Sequence, residues 1–396
     1  MIRPIYLDYH ATTPVDPRVL DAMLPYFTDR FGNPASRQHA YGWQAQEAVE
    51  AARAQVASLI GATAGEIVFT SGASESNNLA IKGAACSLRD RGDHLITAAT
   101  EHKSVLDSFK KLQAEGWRVT FLGVDRDGFI GLDELRSAIT DRTVLVSVMA
   151  ANNEIGTIQP LAEIGAITSD RGVLLHTDAA QAAGKIPLDV RTMNVDLLSL
   201  TGHKYYGPKG AGALFIRRRK PRIELTCQID GGGHEHGVRS GTLNVPGIVG
   251  LGAAAEICRT ALGTEAARLG SLRDRLLDAL RRDLDGVQVN GPIGDRRLTH
   301  NLHVSLEGVD GESLLMALGD LAVSTASACS SGSEKPSHVL EAIGQQGSAS
   351  IRFGLGRMTT VEEVDAAAAR VVKVVRSLRA NGSRLSASGF RAQASS

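Results

Sequence analysis

Four polar side chains in this 396-residue chain each stand just after an apolar run, and together they could carry amine–carbonyl chemistry. Lys204 follows the run Val195–Leu200 and precedes a glycine-rich turn, GPKGAG. A lysine at a strand end among apolar neighbours loses hydration and gives up its proton more readily. The neutral amine can attack a carbonyl and form a Schiff base, which is how enzymes carry pyridoxal phosphate (PLP). Asp178 follows Leu174–Thr177, where an unpaired buried charge would be expensive. The protonated ring nitrogen of PLP is a suitable partner for it. Gln181, a little further on, could donate to the ring hydroxyl oxygen. His102 follows His94–Ala98 and could stack on a planar ring and move protons. Taken singly, the plainer readings are a surface lysine, a capping aspartate and a structural histidine. Their convergence carries the weight. Asn152, Asn153 and Glu154 follow a further run, so polar residues gather at the carboxyl edge of one sheet, where open α/β sheets bind ligands.

Three further segments add function. Glu66–Gly83 reads as strand, Ser-Gly turn and helix, with free amides at Gly72, Ala73 and Ser74 suited to a phosphate. An ordinary helix cap is the alternative there. Cys329 sits among alanine, serine and glycine, a composition that suits an exposed loop, whereas Cys86, Cys227 and Cys258 read as inert core residues. A reachable thiolate, from a reference pKa of about 8.5, is a nucleophile. Arg352 in SIRFGLGR is suited to holding a substrate carboxylate through a bidentate pair. No GxxxxGK[ST] occurs and no GxGxxG follows a strand, which weighs against nucleotide binding. GGGHEHG places His234 close to His236 without a metal-spaced acid or cysteine.

The elements that must position these residues alternate. Strands are predicted at Ile67–Phe69, His94–Ala98, Arg118–Val124, Val144–Met149, Leu174–Thr177, Leu197–Leu200 and Ala213–Ile216. Helices are predicted at Glu75–Arg89, Ser104–Glu115, Asp133–Ile139 and Leu161–Asp170. That order predicts an α/β layered domain with a mainly parallel sheet. A helical stretch after Val245, broken near Gly263, leads to a smaller α+β domain starting near residue 262. From Ala380 the chain is polar and rich in small residues, and reads as disordered. The 43 Lys and Arg balance the 43 Asp and Glu, so no global field draws nucleic acid or membrane. The N-terminus lacks an apolar signal core, no segment reads as membrane-spanning, and the four cysteines lack metal or disulfide spacing. A reduced, cytoplasmic setting is expected.

Taken in order, LDYHATTPVDPR, FGNPAS, TSGASESNN, EHKSVLD, NNEIG, HTDAAQ, SLTGHKYYGPKGAGAL, GGGHEHGVRSGT, ASACSSG and SIRFGLGR resemble the cysteine desulfurases of the NifS/IscS class, over roughly residues 4 to 378. These are fold-type I PLP enzymes within the class-V aminotransferase group. The resemblance implies a seven-stranded, mainly parallel sheet between helices in a large domain, 15–261. A small domain of 1–14 and 262–379 would carry the Cys329 loop, and 380–396 would form a tail. It implies that Lys204 is the PLP lysine, with Asp178 on the ring nitrogen, Gln181 on the ring hydroxyl and His102 as the stacking acid–base group. Phosphate contacts would come from Ala73, Ser74, Thr201 and His203, with Thr242 reaching in from the other subunit of a homodimer. Asn153 and Arg352 would bind the substrate carboxylate. L-cysteine would leave as L-alanine, its sulfur held as a persulfide on Cys329 and handed to an acceptor protein such as an iron–sulfur scaffold. Ala326, His10 and His236 depart from the family pattern.

Overall fold

The structure, a computed structural model, describes residues 4–324, 337–345 and 349–393, with side chains described to residue 381. Cys329 and Ala326 lie outside the described residues.

In chain order the strands are β1 Ile5–Tyr6, β2 Ile67–Thr70, β3 His94–Ala98, β4 Arg118–Leu122, β5 Thr143–Ser147, β6 Leu174–Asp178, β7 Leu197–Thr201, β8 Gly212–Ile216, β9 Val287–Val289, β10 Asn301–Leu306, β11 Leu321–Ala322 and β12 Ala349–Gly354. Seven of them form the central sheet in the order β2-β8-β7-β6-β5-β3-β4. From β4 to β7 all neighbours run parallel, and only β8 is reversed against β2 and β7. Parallel strands need crossovers, and the helices Lys103–Ala114 and Leu161–Asp170 supply two of them. Layers on both faces explain why β3, β5, β6 and β7 are buried along their whole length and read as unbroken apolar runs.

The predicted spans lie close to these bounds. Two predicted strands shorten at the carboxyl edge, where β4 ends at Leu122 and β5 at Ser147. Beyond Ser147 the Val148 and Ala150 amides still donate to the β6 carbonyls of His176 and Asp178, while the Met149 amide between them turns to Glu101 Oε1 at 2.6 Å.

A second core gathers Leu7, Leu269, Leu272, Leu276, Leu280, Leu302, Val304, Ile351, Phe353, Val371 and Val375. It lies against the antiparallel sheet β12-β10-β9. The helix Val245–Asp283 joins the two cores, burying Ile248, Leu251, Ala254 and Ala255 in the first and Leu269 to Leu280 in the second.

Four expectations need correction. That helix is continuous through Gly263. A helix-interior glycine costs only about 1 kcal/mol against alanine, less than the packing of both halves supplies. It is also long and apolar enough to cross a membrane by length and composition, yet half of the qualifying window is buried inside the protein. The last helix spans Val361–Gln393 and so runs through the segment from Ala380. Extending a formed helix fixes one residue per hydrogen bond, a smaller demand than starting one. Of the three cysteines read as core residues, only Cys258 is buried, whereas Cys86 is exposed and Cys227 partly so.

The GGGHEHG turn is tied down through its acid. Arg53 makes a two-pronged pair with Glu235 at 2.7 and 2.8 Å, and Glu235 also accepts from the Phe69 amide. Among the described residues no group of three His, Cys, Asp or Glu is placed to hold a metal.

Glycine matters most where β8 starts. A Cβ on Gly212 would lie 2.5 Å from the Gly72 Cα and 2.7 Å from the Leu200 carbonyl oxygen, and neither backbone atom can swing away. Gly212→Ala is expected to destabilise the protein by about 1–3 kcal/mol and to weaken retention of a phosphate ligand at the Gly72 turn. A urea midpoint matching that of the parent protein would contradict this.

Candidate active site

The carboxyl ends of β2, β3, β5, β6 and β7 open into one cavity of ≈1130 Å³. Its lining includes Ala73, Ser74, His102, Asn153, Asp178, Gln181, Thr201, His203, Lys204 and Arg352. Ten of the twelve residues singled out from the sequence therefore share one cavity. Thr242 is exposed, ahead of the helix Val245–Asp283, and does not line it; Cys329 lies outside the described residues.

The end of the cavity expected from the sequence to suit a phosphate is built by the turn after β2. Gly72 has φ 152°, in the region that favours glycine, and the helix Ala73–Ser87 begins directly after it. The amides of Ala73 and Ser74 belong to its first turn, where no earlier carbonyl serves them. Glu75 in that turn is neutralised by Arg239 at 2.8 Å, so the anion-favouring end keeps its character. His203 is held near the same place, its Nδ1 3.2 Å from Thr12 Oγ1. Burial, then the nearby charges of Lys204 and Lys209, push its pKa down to about 4.

The opposite end is organised around Asp178, which is buried at the tip of β6. Its Oδ2 accepts from Asn77 Nδ2 at 2.7 Å and its Oδ1 from the Ala180 amide at 2.9 Å. No ion pair to Asp178 occurs among the described residues, so a buried carboxylate faces the cavity with hydrogen bonds but no countercharge. Asn77 also donates to Ser104 Oγ at 2.9 Å. Ser104 Oγ lies 2.8 Å from His102 Nδ1, which accepts the Ser104 amide at 3.1 Å. With Nδ1 acting as acceptor, a neutral His102 carries its proton on Nε2. Beneath this network lies Glu101, fully buried, with its pKa pushed well above the carboxylate range by burial and further by Asp178.

Lys204 enters from the turn after β7, in a short 3-10 turn Gly202–Lys204. Its Nζ donates to the carbonyls of His10 and, at 2.8 Å, of Ala11. Arg352 on β12 is buried and pairs with Asp8 at 2.8 Å, and it donates to the Asn153 carbonyl at 3.1 Å.

Asn77, Glu101, Asp8 and Ser104 were missed by sequence reasoning. Asn77 could have been found from its place one helical turn after Ala73, on the face that must look at the sheet. Asp8 carried no signal, because its partner lies 344 positions away.

The residues present fit PLP. The free amides at the helix start after Gly72 would suit a phosphate, Asp178 has no cation among the described residues, and Lys204 lines the same cavity.

A family model described as "Aminotransferase class-V" matches residues 5–367. The chain belongs to the class-V aminotransferase family. Among its relatives, "Cysteine desulfurase IscS" of Anaeromyxobacter sp. (strain K) is 57% identical over 95% of this chain and 93% of that protein. A solved "NIFS-LIKE PROTEIN" is 37% identical with a TM-score of 0.88, covering 95% of this chain and 100% of its own. The solved "SspA in complex with cysteine" is 39% identical with a TM-score of 0.78, covering 88% and 98%.

Proposed function

We propose that this protein is a cysteine desulfurase that converts L-cysteine to L-alanine and keeps the sulfur as a persulfide on Cys329. The observation that carries it is the buried, cation-free Asp178 sharing a cavity with Lys204 and the Gly72 phosphate turn. Relatives named for this reaction support the choice of substrate.

PLP would be held by Lys204 covalently, by Asp178 at its ring nitrogen, by Gln181 at its hydroxyl and under His102. The amides of Ala73 and Ser74, with Thr201 and His203, would take its phosphate. Bound there, it supplies an electron sink that acidifies the substrate α-hydrogen. The chain's own groups do the rest. Arg352 and Asn153 orient the substrate carboxylate, with Asp8 keeping the guanidinium in place. Lys204 and His102 carry the α-proton, His102 from its Nε2 side. The Cys329 thiolate takes the substrate sulfur: an S–S bond forms, the Cβ–S bond breaks, and Cβ gains a proton. The sulfur passes from Cys329 to an acceptor protein, either an iron–sulfur scaffold or a tRNA- or cofactor-thiolation protein. Two units would cooperate, 15–261 holding the cofactor and 1–14 with 262–379 carrying Arg352 and Cys329. The free thiols of Cys86, Cys227 and Cys258 suit a reducing cytoplasm.

Cys329→Ala tests the reaction. It is expected to retain the yellow of bound PLP while sulfide release from L-cysteine in the presence of a reductant falls by roughly two orders of magnitude or more. Undiminished release would remove Cys329 from its role.

A homodimer fits one surface. Leu24 52%, Phe27 59%, Phe31 65%, Tyr41 52% and Trp43 59% remain exposed in a stretch of twenty residues, and the Phe31 and Tyr41 rings lie 5.4 Å apart. An exposed apolar patch of this kind marks an association surface. The partner subunit would supply Thr242. Sedimentation should give twice the chain mass, and Phe31→Glu with Trp43→Glu should halve it. A monomeric parent protein would contradict the dimer.

A further inference from the structure

His10 interrupts a run of otherwise familiar motif residues, and the fold buries it completely between the two cores. Its ring makes two polar contacts. Nδ1 lies 3.0 Å from Gln181 Oε1, and Nε2 lies 3.0 Å from Asn301 Nδ2. Its face stacks on His300 at 4.5 Å. Room for the ring comes from Gly354, where a Cβ would fall 2.8 Å from the His10 Cδ2.

The direction of every bond here is forced. Arg297 can only donate, and its Nη1 reaches Asn301 Oδ1 at 2.7 Å. The oxygen of Asn301 is thereby fixed, so its Nδ2 must donate, to the Glu154 carbonyl at 2.9 Å and to His10 Nε2. His10 Nε2 is therefore an acceptor, and the neutral ring carries its proton on Nδ1. The same answer comes independently from the other end. Gln181 Nε2 lies 3.0 Å from the His10 carbonyl oxygen, which can only accept. Gln181 Oε1 then faces Nδ1 and must receive its proton. Both ends demand the Nδ1–H tautomer. Burial above all, and then the charges of Arg352, Lys204 and Lys185, oppose a second proton, against a smaller contribution of the Gln181 bond in its favour. An imidazolium would also set Nε2–H against the Asn301 amide hydrogens.

We propose that His10 is a positioning residue whose Nδ1–H, oriented by Arg297 through Asn301, locks the Gln181 amide with its Nε2 as a donor on the cavity side. One Nε2 hydrogen is used by the His10 carbonyl, and the other is the donor left for the cavity that Gln181 lines. The inference rests on the PLP reading, in which that donor meets the ring hydroxyl oxygen and favours its anionic form. A flipped Gln181 would present a carbonyl there and favour the protonated form instead. A residue buried between the two cores thus sets the polarity of a group in the cavity.

Two variants separate positioning from packing. Asn can place its Nδ2 where Nδ1 of histidine stands, so His10→Asn keeps the donor to Gln181 and loses the acceptor for Asn301. Gln places its amide at the Nε2 position, so His10→Gln keeps the acceptor and loses the donor. The readout is the pH midpoint of the visible band of bound PLP, taken with ¹⁵N NMR of histidine-labelled protein, with and without PLP. His10→Gln is expected to raise the midpoint by about one pH unit, a tenfold change in proton affinity, while His10→Asn stays near the parent value. The parent spectrum should show His10 protonated on Nδ1 and bare on Nε2 in both forms. An Nε2–H tautomer, an imidazolium, or equal midpoints in the two variants would overturn the proposal. A parent protein that develops no visible band with PLP would instead overturn the cofactor reading, while the tautomer is still read from the NMR spectrum.

Discussion

Lys204→Ala is expected to abolish covalent retention of PLP and to lower alanine formation from L-cysteine by roughly 10⁴-fold or more. The size follows from two duties falling on one amine. Nζ is the only lysine nitrogen the β7 turn brings to the wall that also holds Asp178 and Gln181, and it is half-buried rather than packed. No other described lysine can take over. Lys103, Lys110 and Lys209 also line the cavity, but Lys103 opens the helix Lys103–Ala114, Lys110 lies exposed further along it and Lys209 lies exposed in the glycine-rich turn. Removal should leave the fold intact, since Nζ donates to the carbonyls of His10 and Ala11 on an adjoining loop and not to a core strand. The check is borohydride reduction followed by peptide mapping, with alanine measured beside it. Retained turnover in Lys204→Ala would break the assignment.

Asp178→Asn is the second large effect. The change removes the charge and keeps the volume. The new amide would set two NH₂ groups face to face, because Asn77 Nδ2 now donates to Asp178 Oδ2. Asn77 Oδ1, buried and without a partner among the described residues, can turn to meet it. The cost is the Asn77 bond to Ser104, the hydroxyl that serves His102. The stability loss should stay at about 1–2 kcal/mol. Turnover should fall by roughly 10²–10³-fold, the scale of losing one preorganised electrostatic partner. Near-parent turnover would show that no cationic group sits against Asp178.

The layered α/β order and the carboxyl-edge residues were legible because local signals carry them. Apolar runs such as His94–Ala98 lead into a polar residue, His102, and a helix pattern follows. The helix Leu161–Asp170 has the bounds its periodicity predicts. What stayed hidden depends on contacts distant in sequence. Asp8 against Arg352 and Asn301 against His10 join residues 344 and 291 positions apart. No pattern in the sequence distinguishes Asp8 or Asn301 from an ordinary polar residue. The unbroken helix through Gly263 was hidden for a related reason, since two separate cores hold its halves. Glycine's weak preference against helix could not show that.

The central claim is that sulfur leaves L-cysteine for Cys329. Protein free of reductant is given one equivalent of L-cysteine, alanine is counted, and intact peptides are weighed by mass spectrometry. The account predicts one sulfur atom added to the Cys329 peptide for each alanine formed, with Cys86, Cys227 and Cys258 unchanged. Alanine formed with no added sulfur on Cys329, or with the sulfur on another cysteine, would contradict it.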